Sequence, residues 1–119
     1  MSETITGALQ ENILILLCFS DEVKMLSNVI TVDLFESSIY RDVASAALDF
    51  YREFQKPIAE HLPDVLQYQL GSSKGELFKH VLDSIFQAKD SINKNYVMKQ
   101  LEKFIRQQRL KQTVKEAAD

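Results

Sequence analysis

Few residues in this chain have the types and spacing that chemistry needs. The two histidines, His61 and His80, are nineteen positions apart with no cysteine near either. A zinc site needs several nitrogen or sulfur ligands at short, characteristic spacings, so neither reads as a metal ligand. His80 borders Val81 on a helical row and reads as a partly exposed structural residue. The single cysteine, Cys18, lies inside an apolar run, where a thiol behaves as a small core residue rather than a nucleophile. Asp42 and Asp49 are seven apart and share a helix face. Carboxylates so placed on an outer face are solvated, whereas acid–base work needs them in reach of a substrate. Gly71 to Gly75 is followed by Glu76, not by the Lys-Ser or Lys-Thr of a phosphate loop, and no dinucleotide fingerprint or nucleophile elbow occurs. Nothing in this inventory calls for catalysis, a metal or a cofactor.

The basic residues are the one chemical asymmetry. Residues 1–60 carry ten acidic against four basic side chains, and residues 61–119 carry seven against ten, so halves of −6 and +3 compose the net charge of −3. Lys94, Lys99, Lys103, Arg106, Arg109, Lys111 and Lys115 are half of all the cations, with only Glu102 and Glu116 among them before the terminal Asp119. Such a stretch is either a solvated helix face or a surface turned toward nucleic acid or an acidic protein, since clustered cations displace counterions from a phosphate backbone. Lys99, Lys103, Arg106 and Arg109 are the candidates for that contact. Tyr96 and Phe104 group with Val97, Leu101 and Ile105, so no aromatic side chain is expected among the cations and base stacking is not anticipated. Leu110, Val114 and Ala117 extend the apolar row beyond what a small core can cover. Leu101, Phe104, Ile105, Leu110 and Val114 are therefore expected to serve packing and association.

The elements that carry these residues read as helices throughout. With three glycines, two prolines and 45% hydrophobic residues in 119, the chain has few turns and enough apolar surface for one core. Residues 1–8 are expected to fray, residues 9–94 to form a helical bundle, and residues 95–119 to form a long basic C-terminal helix. Ile13 to Phe19 could be a buried strand, but no second strand-like run exists to pair with it. Ser20 should cap a second helix with Val23, Leu26 and Ile30 facing inward, and Leu34 and Phe35 follow on a short turn.

The helix from Ser38 to Gln55 shows the clearest periodicity. Ile39, Val43, Ala46, Phe50 and Phe54 form one row and Tyr40, Ala44, Ala47 and Tyr51 a second, with Ser37 or Ser38 as cap. This pattern predicts the central helix of the bundle, and a core role for Phe50 predicts a loss of about 3–5 kcal/mol on truncation to alanine. Pro63 places another helix start near Leu62, and Leu77, Phe78, Val81, Leu82, Ile85 and Phe86 mark the next one. Asn93 or Asn95 should cap the last. The expected architecture is all-α, a compact bundle of about five or six helices with a long C-terminal helix. Ile13 to Phe19 is too short to span a bilayer, there is no basic flank of a secretory leader, and one cysteine fits a reducing compartment; the cytoplasm is the expected location.

Laid out in this order, the chain resembles the N-terminal domain of DnaB-type replicative DNA helicases. The likeness runs through Glu11, Ile13 to Leu17 and Asp21, then Leu26 and Val29, then Asp33-Leu34-Phe35 with Tyr40-Arg41, Val43, Ala46-Ala47 and Tyr51. It continues in Pro57-Ile58, Leu62 and Leu66, and in Asn95-Tyr96, Leu101, Phe104, Arg106, Arg109-Leu110 and Ala117-Ala118. Ala59 stands where that family carries an aspartate, and Lys56 stands for its turn glycine. The resemblance implies a non-catalytic domain that supports ring assembly and docks primase or a helicase loader. It also implies self-association through a hairpin whose second helix, with a linker and the ATPase domain, would follow Asp119. A free-standing helical adaptor, loader or DNA-binding regulator of replication is the alternative.

Overall fold

A helix that is apolar on every side has nowhere to go but the middle of a bundle. In the computed structural model, which describes the backbone of residues 7–118 and the side chains of residues 7–106, that helix is α1, Gly7–Phe19. All six residues from Ile13 to Cys18 are buried. Around it pack α2 (Val23–Leu26), α3 (Ser38–Phe54), α6 (Gly75–Ala88) and α7 (Lys94–Ala118). The single turns α4 (Leu62–Val65) and α5 (Gln67–Leu70) and two 3-10 turns, Val32–Leu34 and Ala59–His61, complete the path. The fold is all-α, with seven α-helices and no strand among the described residues.

The centre is therefore α1 and not the helix that begins at Ser38. That helix lies against α1 on a row of Val43, Ala44, Ala47, Leu48 and Tyr51, its alanines allowing close approach. Leu48, in neither of the expected rows, is buried, whereas Ile39 and Phe50 are half-buried and Phe54 is 55% exposed. Phe50 sits at the edge of the core, its ring tilted against Phe54 at 4.6 Å and stacked on His61 at 5.8 Å. Truncating it cannot leave the enclosed cavity that a cost of 3–5 kcal/mol requires.

Local chemistry explains the joints. Ser20 Oγ accepts the Glu22 N–H at 3.0 Å, Ser37 Oγ accepts the Ile39 N–H at 3.1 Å, and Asn93 Oδ1 accepts the Tyr96 N–H at 3.0 Å. Ser37 and Asn93 each take up a donor that a helix start leaves without an intrahelical partner, whereas Ser20 closes the turn before α2, whose cap position is Glu22 with no side-chain cap bond. The buried Gln10 is explained likewise, because its Oε1 accepts the Glu36 N–H at 3.1 Å and ties the Phe35–Glu36 loop to α1. α3 ends at Gln55, which takes the left-handed conformation at φ 59°. The left-handed residue of this corner is thus one position before Lys56.

Ala59 follows with φ 48°, a conformation that costs an alanine roughly 1–2 kcal/mol. The helix expected from Leu62 breaks at Leu66 (φ −95°, ψ 15°) into α4 and α5, which leaves Val65 exposed while Ile58, Leu62 and Leu66 fill the core. A tight loop, Gly71 to Lys74, then returns the chain into α6.

Candidate functional site

α7 is one continuous helix of 25 residues. At 1.5 Å per residue it runs about 37 Å, longer than the 27 and 30 Å short axes of the molecule.

Its first three turns divide by face. Val97 and Leu101 are each 1% exposed and lie in the core against α1, and Phe104 and Ile105 are partly buried against the same cluster. Leu101 is thus packed within its own chain. Lys99, Lys103 and Arg106 are exposed. Arg106 reaches the Glu102 carboxylate at 2.6 Å, one turn back, while Lys99 and Lys103 have no carboxylate partner among the described residues. Arg109, Leu110 and Val114 lie outside the described side chains.

Tyr96 departs from expectation. It is 60% exposed rather than packed with Val97 and Leu101, and its hydroxyl accepts from Gln100 Nε2 at 3.1 Å. At steps of three and four it shares the solvent side with Lys99 and Lys103, so an aromatic side chain does stand among the cations. One ring does not make a stacking platform for successive bases.

Beside this face runs a groove of about 820 Å³ between α2 and α7. Leu26 and Leu101 form its floor, Met25, Val29, Met98 and Ile105 its walls, and Lys99 and Arg106 stand on the α7 rim. Met25 is 47% exposed, a large apolar side chain held at the surface of a helix of only four residues. No periodic signal marks Met25 on its single turn, and Met98 lies one position off the row of Val97, Leu101 and Phe104. Only the fold brings Met25 and Met98 to one groove. A second open patch lies at the end of α3, where Phe50, Phe54, Pro57, His61 and Val65 surround a hollow of about 520 Å³.

The residues weighed for chemistry fall apart in space. Cys18 is fully buried, and burial pushes its thiol up to about 12, far from the thiolate that nucleophilic chemistry needs. Tyr40 is also raised above the ordinary phenol range, first by desolvation and then by the negative charge of Glu11. His80 is exposed, His61 lies on the Phe50 ring, and Asp42 and Asp49 face solvent, Asp49 pairing with Arg52 at 3.2 Å. Among the described residues no three His, Cys, Asp or Glu side chains gather as metal ligands, and no helix is long and apolar enough to cross a membrane. Compared with known proteins, the chain matches no protein-family model, no curated protein and no solved structure.

Proposed function

We propose that this chain is a non-catalytic scaffold and interaction domain of the DnaB-type helicase kind, acting in the cytoplasm, supporting ring assembly and docking primase or a helicase loader. The observation that carries this reading is where the landmarks of the resemblance fall. Phe35 is fully buried, and Arg41 Nε donates to its carbonyl at 2.7 Å, so the Asp33-Leu34-Phe35 and Tyr40-Arg41 landmarks form one hydrogen-bonded joint. Ile58, Leu62 and Leu66 are each buried at the corner beside α3. Landmarks at a joint and in the core suit a packing role, and the groups weighed for chemistry are buried, stacked or solvated apart from one another.

The alternative, a free-standing adaptor, loader or DNA-binding regulator, draws on Tyr96, Lys99 and Lys103. Sedimentation velocity separates the two. A scaffold self-associates on its own and does not add to a DnaB-type hexamer that already has its N-terminal domains. A monomer that binds that intact hexamer in trans replaces the scaffold by the adaptor. Steeply salt-dependent binding to duplex DNA would replace it by the regulator, because phosphate contacts weaken as salt rises.

A further inference from the structure

We infer that the groove between α2 and α7 is a docking site for an acidic amphipathic helix of a partner protein. This inference does not depend on the helicase reading. The groove extends along α7 from Asn95 to Arg106, three turns or about 16 Å of helix. A channel of that length over an apolar floor fits a second helix that presents residues at i, i+3 or i+4, and i+7. Its volume of about 820 Å³ accommodates several large side chains. Met25 and Met98, one from each wall, supply the unbranched and polarisable surface that adapts to such a face.

Charge chooses the partner. The one carboxylate on the groove, Glu102, is already held by Arg106, whereas Lys99 stands on the rim with no acidic partner among the described residues. An incoming helix with glutamate or aspartate flanking its apolar stripe would meet the Lys99 ammonium group. A second copy of this chain fits poorly, because a twofold contact brings the same patch against itself and offers Lys99 no carboxylate that Arg106 does not already hold. Nucleic acid fits poorly too, since the floor is apolar and the cations occupy one rim only.

The test is selection from a displayed library of helical peptides. Apolar-stripe positions vary among Leu, Ile, Phe and Met, and flanking positions vary among Glu, Gln and Lys. The selected peptides are expected to carry glutamate flanks and to lose at least tenfold in affinity against Met25→Asp, an exposed position that leaves the core intact. Against Lys99→Glu, a solvent-exposed position, they are expected to weaken while lysine-flanked counterparts tighten. Both variants are compared with the parent by far-UV circular dichroism and melting temperature. Neutral or lysine-rich winners, winners that bind Met25→Asp as tightly as the parent, or no enrichment would overturn the inference. So would a dimer of this chain that Met25→Asp dissociates, because the occupant would then be a second copy.

Discussion

Replacing Gly75 by alanine sets helix propensity against sterics. Alanine is favoured over glycine by about 1 kcal/mol inside a helix, chiefly because its unfolded chain has less conformational entropy to lose. Gly75 opens α6 at a backbone conformation with negative φ, so nothing in its dihedral angles forbids a side chain. A Cβ atom there would nevertheless lie 2.1 Å from the carbonyl oxygen of Leu70 and 3.0 Å from its carbonyl carbon. Cβ contacts under 3.0 Å are essentially never seen, so the end of α5 would have to retreat by about 0.9 Å. The obstacle is backbone and cannot swing away as a side-chain tip would.

Overpacking of this kind costs about 1–3 kcal/mol, and the upper end applies where backbone must move. Set against the propensity gain, Gly75→Ala is expected to lose about 2 kcal/mol. For a chain of this length that is a fall of roughly 6–12 °C in Tm. Gly71→Ala is the control, because a Cβ there meets nothing nearer than 3.5 Å and Gly71 already has helical angles (φ −86°, ψ −2°). It is expected to be neutral or to gain up to about 1 kcal/mol. Urea titration followed by far-UV circular dichroism measures both. If Gly75→Ala were as stable as Gly71→Ala, the close approach of α5 to α6 would be wrong.

Three further outcomes follow from the same contacts. The thiol of Cys18 ionises near 9.0 when exposed and near 12 in the fold, so its contribution is intact below about pH 9 and declines as pH rises from there toward 12. The full interval is worth about 4 kcal/mol; urea midpoints up to pH 10.5 should fall more steeply for the parent than for Cys18→Ala, and parallel slopes would refute it. Phe35→Ala, at a fully buried ring, is expected to cost about 3–5 kcal/mol, and Phe50→Ala, at the edge of the core, about 1–2 kcal/mol. Equal losses in chemical denaturation would place Phe50 in the centre after all. Gln10→Leu removes the acceptor of the Glu36 N–H and should cost about 1–3 kcal/mol, read as a lower urea midpoint at unchanged slope.

The helical character and the caps were legible because they rest on local chemistry. Ser37 and Asn93 are short polar residues standing just before apolar periodicity, and each accepts a backbone donor. The centre of the bundle was misread for a physical reason. Periodicity reports contrast between two faces, so it is strongest where a helix borders solvent, as α3 does through Phe50 and Phe54. α1 has almost no such contrast, because its run from Ile13 to Cys18 is buried on every side. The left-handed residues were hidden as well, since Gln55 and Ala59 are not types that advertise positive φ. Ser72, Gly71 and Gly75 did advertise their loop, and it formed where they stand.

Helix register shows why the apolar residues late in α7 do not extend the row that begins at Val97. Leu101 and Leu110 are nine positions apart, which in an unbroken helix is about two and a half turns. Positions 110, 114 and 117 therefore come round to the side opposite 97, 101 and 104, and one expected row becomes two. The first row is satisfied by α1 of the same chain. Whatever meets positions 110, 114 and 117 must accordingly approach from a different direction than the core does. An association surface on the second half of α7 would thus be separate from the packing surface on the first half, and Leu101 could be altered without entering it. Crosslinking from a cysteine placed at position 110 in a Cys18→Ala background, compared with one placed at position 101, should capture self-association only from position 110. Equal capture from both would mean that the helix turns a single face to its neighbours.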